Sequence, residues 1–96
     1  MTLAELVARY RPESWHGTRG RTWPEHAAYL WWDDPGHLLG LIHHMSRVGW
    51  FGTVDVQDDT VQDSHHRIVA AWILGWLNLD VPVRVLKPPL TWRNSQ

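Results

Sequence analysis

Gln62-Asp63-Ser64-His65-His66-Arg67, followed at once by Ile68-Val69-Ala70-Ala71-Trp72-Ile73-Leu74-Gly75, is the stretch whose reading decides the fold. Ahead of it, Val54 and Val56 alternate with Asp55 and Gln57, Asp58-Asp59 makes a turn, and Thr60-Val61-Gln62 returns, the pattern of a short hairpin. Behind it, Ile68, Ala71, Trp72 and Leu74 recur at helical spacing and predict a helix from Ser64 to Leu74. Gly75 is its expected terminator, with Trp76 making a hydrophobic contact just beyond. The polar hexapeptide therefore falls where a strand ends and a helix begins. The first N–H groups of a helix have no intrahelical partner and carry the positive end of its dipole, so Ser64, His65, His66 and Arg67 predict an anion site. Arg67 can grip a phosphate with two parallel hydrogen bonds, and His65 or His66 can donate a hydrogen bond or a proton. Asp63 would repel a phosphate unless it caps the helix or carries a magnesium ion shared with the phosphates. A plainer account also fits these residues: Asp63 or Ser64 only caps the helix, while His65, His66 and Arg67 are solvated.

Working outward, Thr2-Leu3-Ala4-Glu5 has capping-box spacing, and Leu3, Leu6, Val7 and Tyr10 predict a helix over about residues 3 to 10, ended by Pro12. Residues 13 to 21 read as a polar loop with a small basic cluster at Arg19 and Arg21. Thr22-Trp23-Pro24-Glu25 repeats the capping box with proline in the first turn and starts a second helix to about Trp32. Asp34 is expected to cap a third helix over 36 to 47, with Leu38, Leu41, Ile42 and Met45 as its apolar stripe and Gly49 as its left-handed stop. Leu79 to Leu86 reads as a strand in which Val81, Val83 and Val85 share a face, and Pro82 marks an edge or a beginning. The tail 87 to 96 docks through Trp92 or frays.

The 96 residues are expected to form one domain, and the absence of cysteine excludes thiol redox chemistry and cysteine-held zinc. No apolar stretch approaches the roughly 20 residues that span a bilayer, and the first residues lack the charged start of an export signal, so a cytoplasmic location and no membrane partner are expected. Nine Lys and Arg against ten Asp and Glu give a formal charge of −1, so any nucleic-acid contact must be local. Arg11, Arg19 and Arg21 with Trp15 and Trp23 mix basic and aromatic residues in the manner of such a contact. Eight tryptophans exceed what one small core buries, and Tyr29-Leu30-Trp31-Trp32 suggests a protein-binding edge. His43-His44 and His65-His66 cannot chelate, because neighbours on a helix point about 100° apart. His37 and His44 share a face, yet no zinc is expected.

The order of helix, hairpin, Asp63-Ser64-His65-His66-Arg67, helix ending in Leu-Gly, and Val81-Pro82-Val83-Arg84-Val85 is similar to the core of the ParB/sulfiredoxin superfamily. There, a motif of the form Asp-Gly-His-His-Arg opens a helix whose N-terminus holds nucleotide phosphates. The resemblance covers about His37 to Leu86, with residues 1 to 35 as a helical extension and 87 to 96 as a tail. It implies a compact α/β (α+β) domain with helices on a small mixed sheet. It further implies ATP or CTP with magnesium as ligand, Asp63 at the metal, His66 as acid or base, and nuclease or phosphotransfer activity like that ascribed to stand-alone ParB-like domains of phage and other mobile genomes. The family glycine is Ser64 here, which adds a side chain where positive φ is disfavoured, and Thr53 replaces the usual proline before the hairpin strand. No helix-turn-helix follows, so centromere-type DNA reading is not expected, and sulfiredoxin chemistry lacks its cysteine. The alternative is a catalytically degenerate ParB-like fold, a phage-type effector that binds a host protein or DNA through a tryptophan-rich surface.

Overall fold

In the computed structural model, residues 1–13 and 22–86 are described. Residues 14–21, most of the stretch expected to be a basic loop, and residues 87–96, expected to be the tail, lie outside them, and with them Trp15, Arg19, Arg21 and Trp92. The first helix, α1 (Leu3–Arg9), starts as its sequence dictates: Thr2 Oγ1 accepts from the Glu5 amide at 3.2 Å, and Glu5 Oε1 accepts from the Thr2 amide at 3.0 Å. α1 buries Leu3 and Leu6. Pro12 ends the helix, but Arg11–Pro12 then forms a strand, β1, which the sequence did not suggest. Proline is tolerated there because β1 is an edge, and the flanking amides do the pairing: Arg11 N–H donates to Asp59 O at 2.9 Å and Glu13 N–H to Val61 O at 3.1 Å.

α2 (Trp23–Asp33) opens with the second capping box, and α3 (Pro35–Val48) with Asp34 Oδ1 accepting from the His37 amide at 3.1 Å. Gly49 closes α3 at φ 85°, a backbone angle that favours glycine. The hairpin is β2 (Val54–Gln57) and β3 (Thr60–Val61), turned through Asp58 at φ 53°. α4 (His65–Ile73) follows, and its end is a Schellman motif in which Gly75 N–H donates to Trp72 O and Trp76 N–H to Ala71 O. The last strand, β4, covers only Val83–Val85.

The sheet runs β1-β3-β2-β4; the central pair is antiparallel and both edges join in parallel, with Val54 opposite Val83 and Val56 opposite Val85. Among the described residues this is a mixed α/β fold with four helices and a small sheet, as the sequence predicts. Val81 is buried, but Val83 is half-buried and Val85 is 63% exposed, so the expected valine face dissolves along the outer strand where the sheet runs out. The chain start is part of the same body: Met1 N binds Asp80 Oδ1 at 2.7 Å, and Leu3 and Ala4 amides donate to Leu79 O and Leu77 O. Leu3, Leu6, Trp23 and Leu30 join Leu38, Met45, Val54, Val56, Val61 and Ile68 in one core. α4 is central. It touches α1, α2 and α3, so four successive residues, Ile68 to Ala71, are buried rather than one stripe, while Trp72 and Leu74 are only half-buried.

Candidate functional site

The hairpin delivers the chain to Asp63 and Ser64, and the turn into α4 is made by Ser64 itself at φ 68°, ψ 17°. That left-handed geometry costs a non-glycine residue about 1 to 2 kcal/mol, so the surroundings must impose it. They do so through the serine hydroxyl, which donates to Asp63 Oδ1 at 3.0 Å and accepts from Arg67 Nη2. Asp63 does not cap the helix; its Oδ1 accepts from the Asp55 amide at 3.2 Å and so ties the turn to the start of β2. Asp55 in turn holds Arg84 of β4 through two hydrogen bonds of 2.8 Å, and that guanidinium keeps the Asp55 carboxyl below its ordinary range. No side chain caps α4, and the amides of His65, His66 and Arg67 find no acceptor among the described residues.

The hexapeptide's side chains take separate directions. His65 turns into the protein: Nε2 meets Val61 O at 2.8 Å and Nδ1 meets His26 Nε2 at 3.0 Å. Trp23 sets its ring edge-on to both imidazoles, and His26 is buried. His66 turns the other way and stacks on His37 of α3, centroids 4.2 Å apart and planes 16° from parallel. Burial lowers the His66 pKa first, His37 and His65 lower it further, and Asp34 and Asp33 oppose them. Arg67 folds back over the Trp50–Thr53 segment, donating from Nη1 to Phe51 O at 2.5 Å, with its guanidinium 5.5 Å and 5.2 Å from the Trp50 and Phe51 ring centres.

Ser64, His65, His66 and Arg67 border one open depression of about 290 Å³, with His37, Leu41 and Phe51 as its other walls. Asp63 is not among the walls. Thus the structure brings the predicted residues to one place but commits Arg67 and His65 to protein acceptors. His37, Phe51 and Gly52 belong to this neighbourhood and were not assigned to it from sequence. Neither was His26, although it stands with Trp23, Ala27 and Leu30 at helical spacing, the mark of a histidine on a core-facing stripe. His44 meets the Phe51 ring edge-on, centroids 5.7 Å apart. Among the described residues no three His, Asp or Glu side chains are placed to hold a metal ion.

Of the tryptophans, Trp23 is buried with Nε1 donating to Tyr10 O at 2.7 Å, and Trp50, Trp72 and Trp76 are half-buried. Trp31 and Trp32 are 50% and 79% exposed. No helix of the described residues is long and apolar enough to cross a membrane. No family model, characterised protein or solved structure matches this chain.

Proposed function

We propose that the N-terminus of α4 binds a nucleotide or phosphate ester, in a domain related to the ParB/sulfiredoxin superfamily. The observation that carries this reading is Ser64: it holds the left-handed geometry natural to glycine, the residue which that family's motif has at this position, and it starts a helix with no side-chain cap. His65, His66 and Arg67, whose amides find no acceptor among the described residues, line the 290 Å³ depression together with Ser64 and His37. An anion entering there meets backbone donors, the positive end of the α4 dipole and two imidazoles. Arg67 adds a bidentate grip when it exchanges Phe51 O and Ser64 Oγ for phosphate oxygens.

Asp63 keeps Oδ2 without a partner among the described residues and is the carboxylate that would share a magnesium ion with bound phosphates; no protein cage for the metal surrounds it. His66, whose pKa is lowered, is neutral near pH 7 and suits a general base in nuclease or phosphotransfer chemistry. The test is a thermal-shift titration with ATP, CTP and ADP, with and without magnesium. Stabilisation that Arg67→Ala abolishes supports the reading, and no stabilisation by any of the three sinks it.

The degenerate alternative, a phage-type effector engaging a host protein or DNA, draws on the exposure of Trp31 and Trp32 and on the engagement of Arg67 by its own chain. It gains if every nucleotide fails and substitution of Trp31 and Trp32 removes binding to a partner.

A further inference from the structure

α3 and α4 run side by side in the same direction: His37 meets His66 near their starts, and the segments beyond their ends, Gly49–Trp50 and Gly75–Trp76, line one cavity. Their first turns therefore lie together, joined by the stacked His37 and His66 rings with centroids 4.2 Å apart. Both residues are walls of the α4 depression. Charged groups approach the pair from three helices. At the junction of α2 and α3, Asp34 accepts from the His37 amide through Oδ1 and places Oδ2 4.0 Å from His37 Nδ1. Burial resists a proton on His66 first, His37 and His65 resist it further, and Asp34 and Asp33 favour it. Arg67, in the same turn of α4, gives its guanidinium to Phe51 O and Ser64 Oγ.

Two imidazoles stacked in this way accept one proton far more readily than two. A lone imidazolium keeps a neutral ring against its face, whereas a second one 4.2 Å away meets like-charge repulsion beside half-buried His66. The pair therefore titrates as a unit. Without an anion beside it, burial resists even the first proton; a negative charge in the depression offsets that cost. The coupling acts through space, so it depends on the nearness of the stack to the depression and not on which ring atom faces the ligand.

We propose that an anion entering the α4 depression brings one proton from solvent onto the His37–His66 stack, so that the site fills as pH falls through the imidazole range and empties as pH rises. This regulation rests on the anion site proposed at α4. One anion and one proton bind together and leave together. Asp33 and Asp34, which would otherwise repel an anion, then stand near a cation.

The test is calorimetric titration of the full chain with sodium sulfate, which stays a dianion throughout and carries no proton of its own. Near pH 6.5, repeating the titration in buffers of different ionisation enthalpy counts the protons taken up. About half a proton or more per anion, and no more than one, is expected, and affinity should fall by up to about tenfold per pH unit as pH is raised. His37→Gln with His66→Gln should still bind sulfate through the α4 amides and Arg67, with no proton uptake and little pH dependence. Circular dichroism checks that this variant is folded. Long-range proton–nitrogen spectra of the natural chain keep the test decisive if it is not: sulfate should move the His37 or His66 nitrogens toward the imidazolium position, and ADP replaces sulfate in the spectra if sulfate does not bind. Binding with no proton uptake, or with uptake at another histidine, overturns the coupling and leaves the anion site standing. No binding of sulfate or ADP between about pH 5.5 and pH 8 overturns both.

Discussion

The guanidinium of Arg67 occupies the space that a side chain on Gly52 would need: a Cβ built there collides with Nη1. Gly52 also sits at φ 82°, so a side chain there is strained by the backbone itself and must in addition displace the guanidinium. Arg67 thereby anchors the segment between α3 and β2 to the first turn of α4. Gly52→Ala is expected to destabilise the protein by about 1 to 3 kcal/mol, the usual range for a forced backbone conformation. Urea denaturation checks this. A Gly52→Ala midpoint equal to that of the natural chain would show that Arg67 is not seated there.

Ser64 tests the turn itself. Replacing it with glycine relieves the left-handed geometry but removes the hydroxyl that Asp63 and Arg67 share, two effects of about 1 kcal/mol each with opposite sign. Ser64→Gly should therefore be close to neutral in stability. Ser64→Ala keeps the conformational cost and loses the hydroxyl, so it should fall below Ser64→Gly by about 1 kcal/mol. Equal stability of the two variants would contradict φ 68° at this residue.

The sequence reading succeeds where local chemistry acts alone. Thr2 with Glu5, Thr22 with Glu25, Asp34 before Pro35, and Gly75 after α4 each mark a helix end that the structure reproduces within a residue or two. It is silent where a residue's state depends on a distant partner. Arg11–Pro12 is a strand because Asp59 and Val61 offer carbonyls about fifty residues away in sequence. His65 is expected in the anion site from its place in the first turn of α4; one residue on a helix turns the side chain through about 100°, and in the structure the His65 ring meets His26 and Val61, partners that no local pattern announces. Arg67 likewise has an acceptor at Phe51 that no local pattern announces.

His66 makes stability depend on pH. Its pKa is lowered in the fold by burial and by His37, so below the ordinary imidazole value of 6.5 the unfolded chain binds a proton that the folded chain resists. The contribution is present in full above that value and is lost as pH falls through the lowered folded pKa. Urea unfolding from pH 8 down to pH 5 should show a fall in stability that is shallower in His66→Gln. An identical pH dependence in the two proteins would remove His66 from the account.

His26 and His65 carry the last prediction. Val61 O can only accept, so His65 Nε2 must hold a proton and donate to it across 2.8 Å. In the neutral ring Nδ1 is then an acceptor, and His26 Nε2–H is its donor at 3.0 Å. The pair joins α2 to the first residue of α4 and to β3, inside a cage edged by Trp23. Long-range proton–nitrogen spectra taken well above the imidazole range should show His65 as the Nε2–H tautomer; the Nδ1–H tautomer would refute the arrangement. His26→Leu leaves His65 Nδ1 without a donor in a part-buried position and should cost about 1 to 3 kcal/mol. His26→Gln, whose amide can still donate, should cost less. Because α2 is docked on α4 through this contact, the loss should also appear as a change in Trp23 fluorescence before global unfolding.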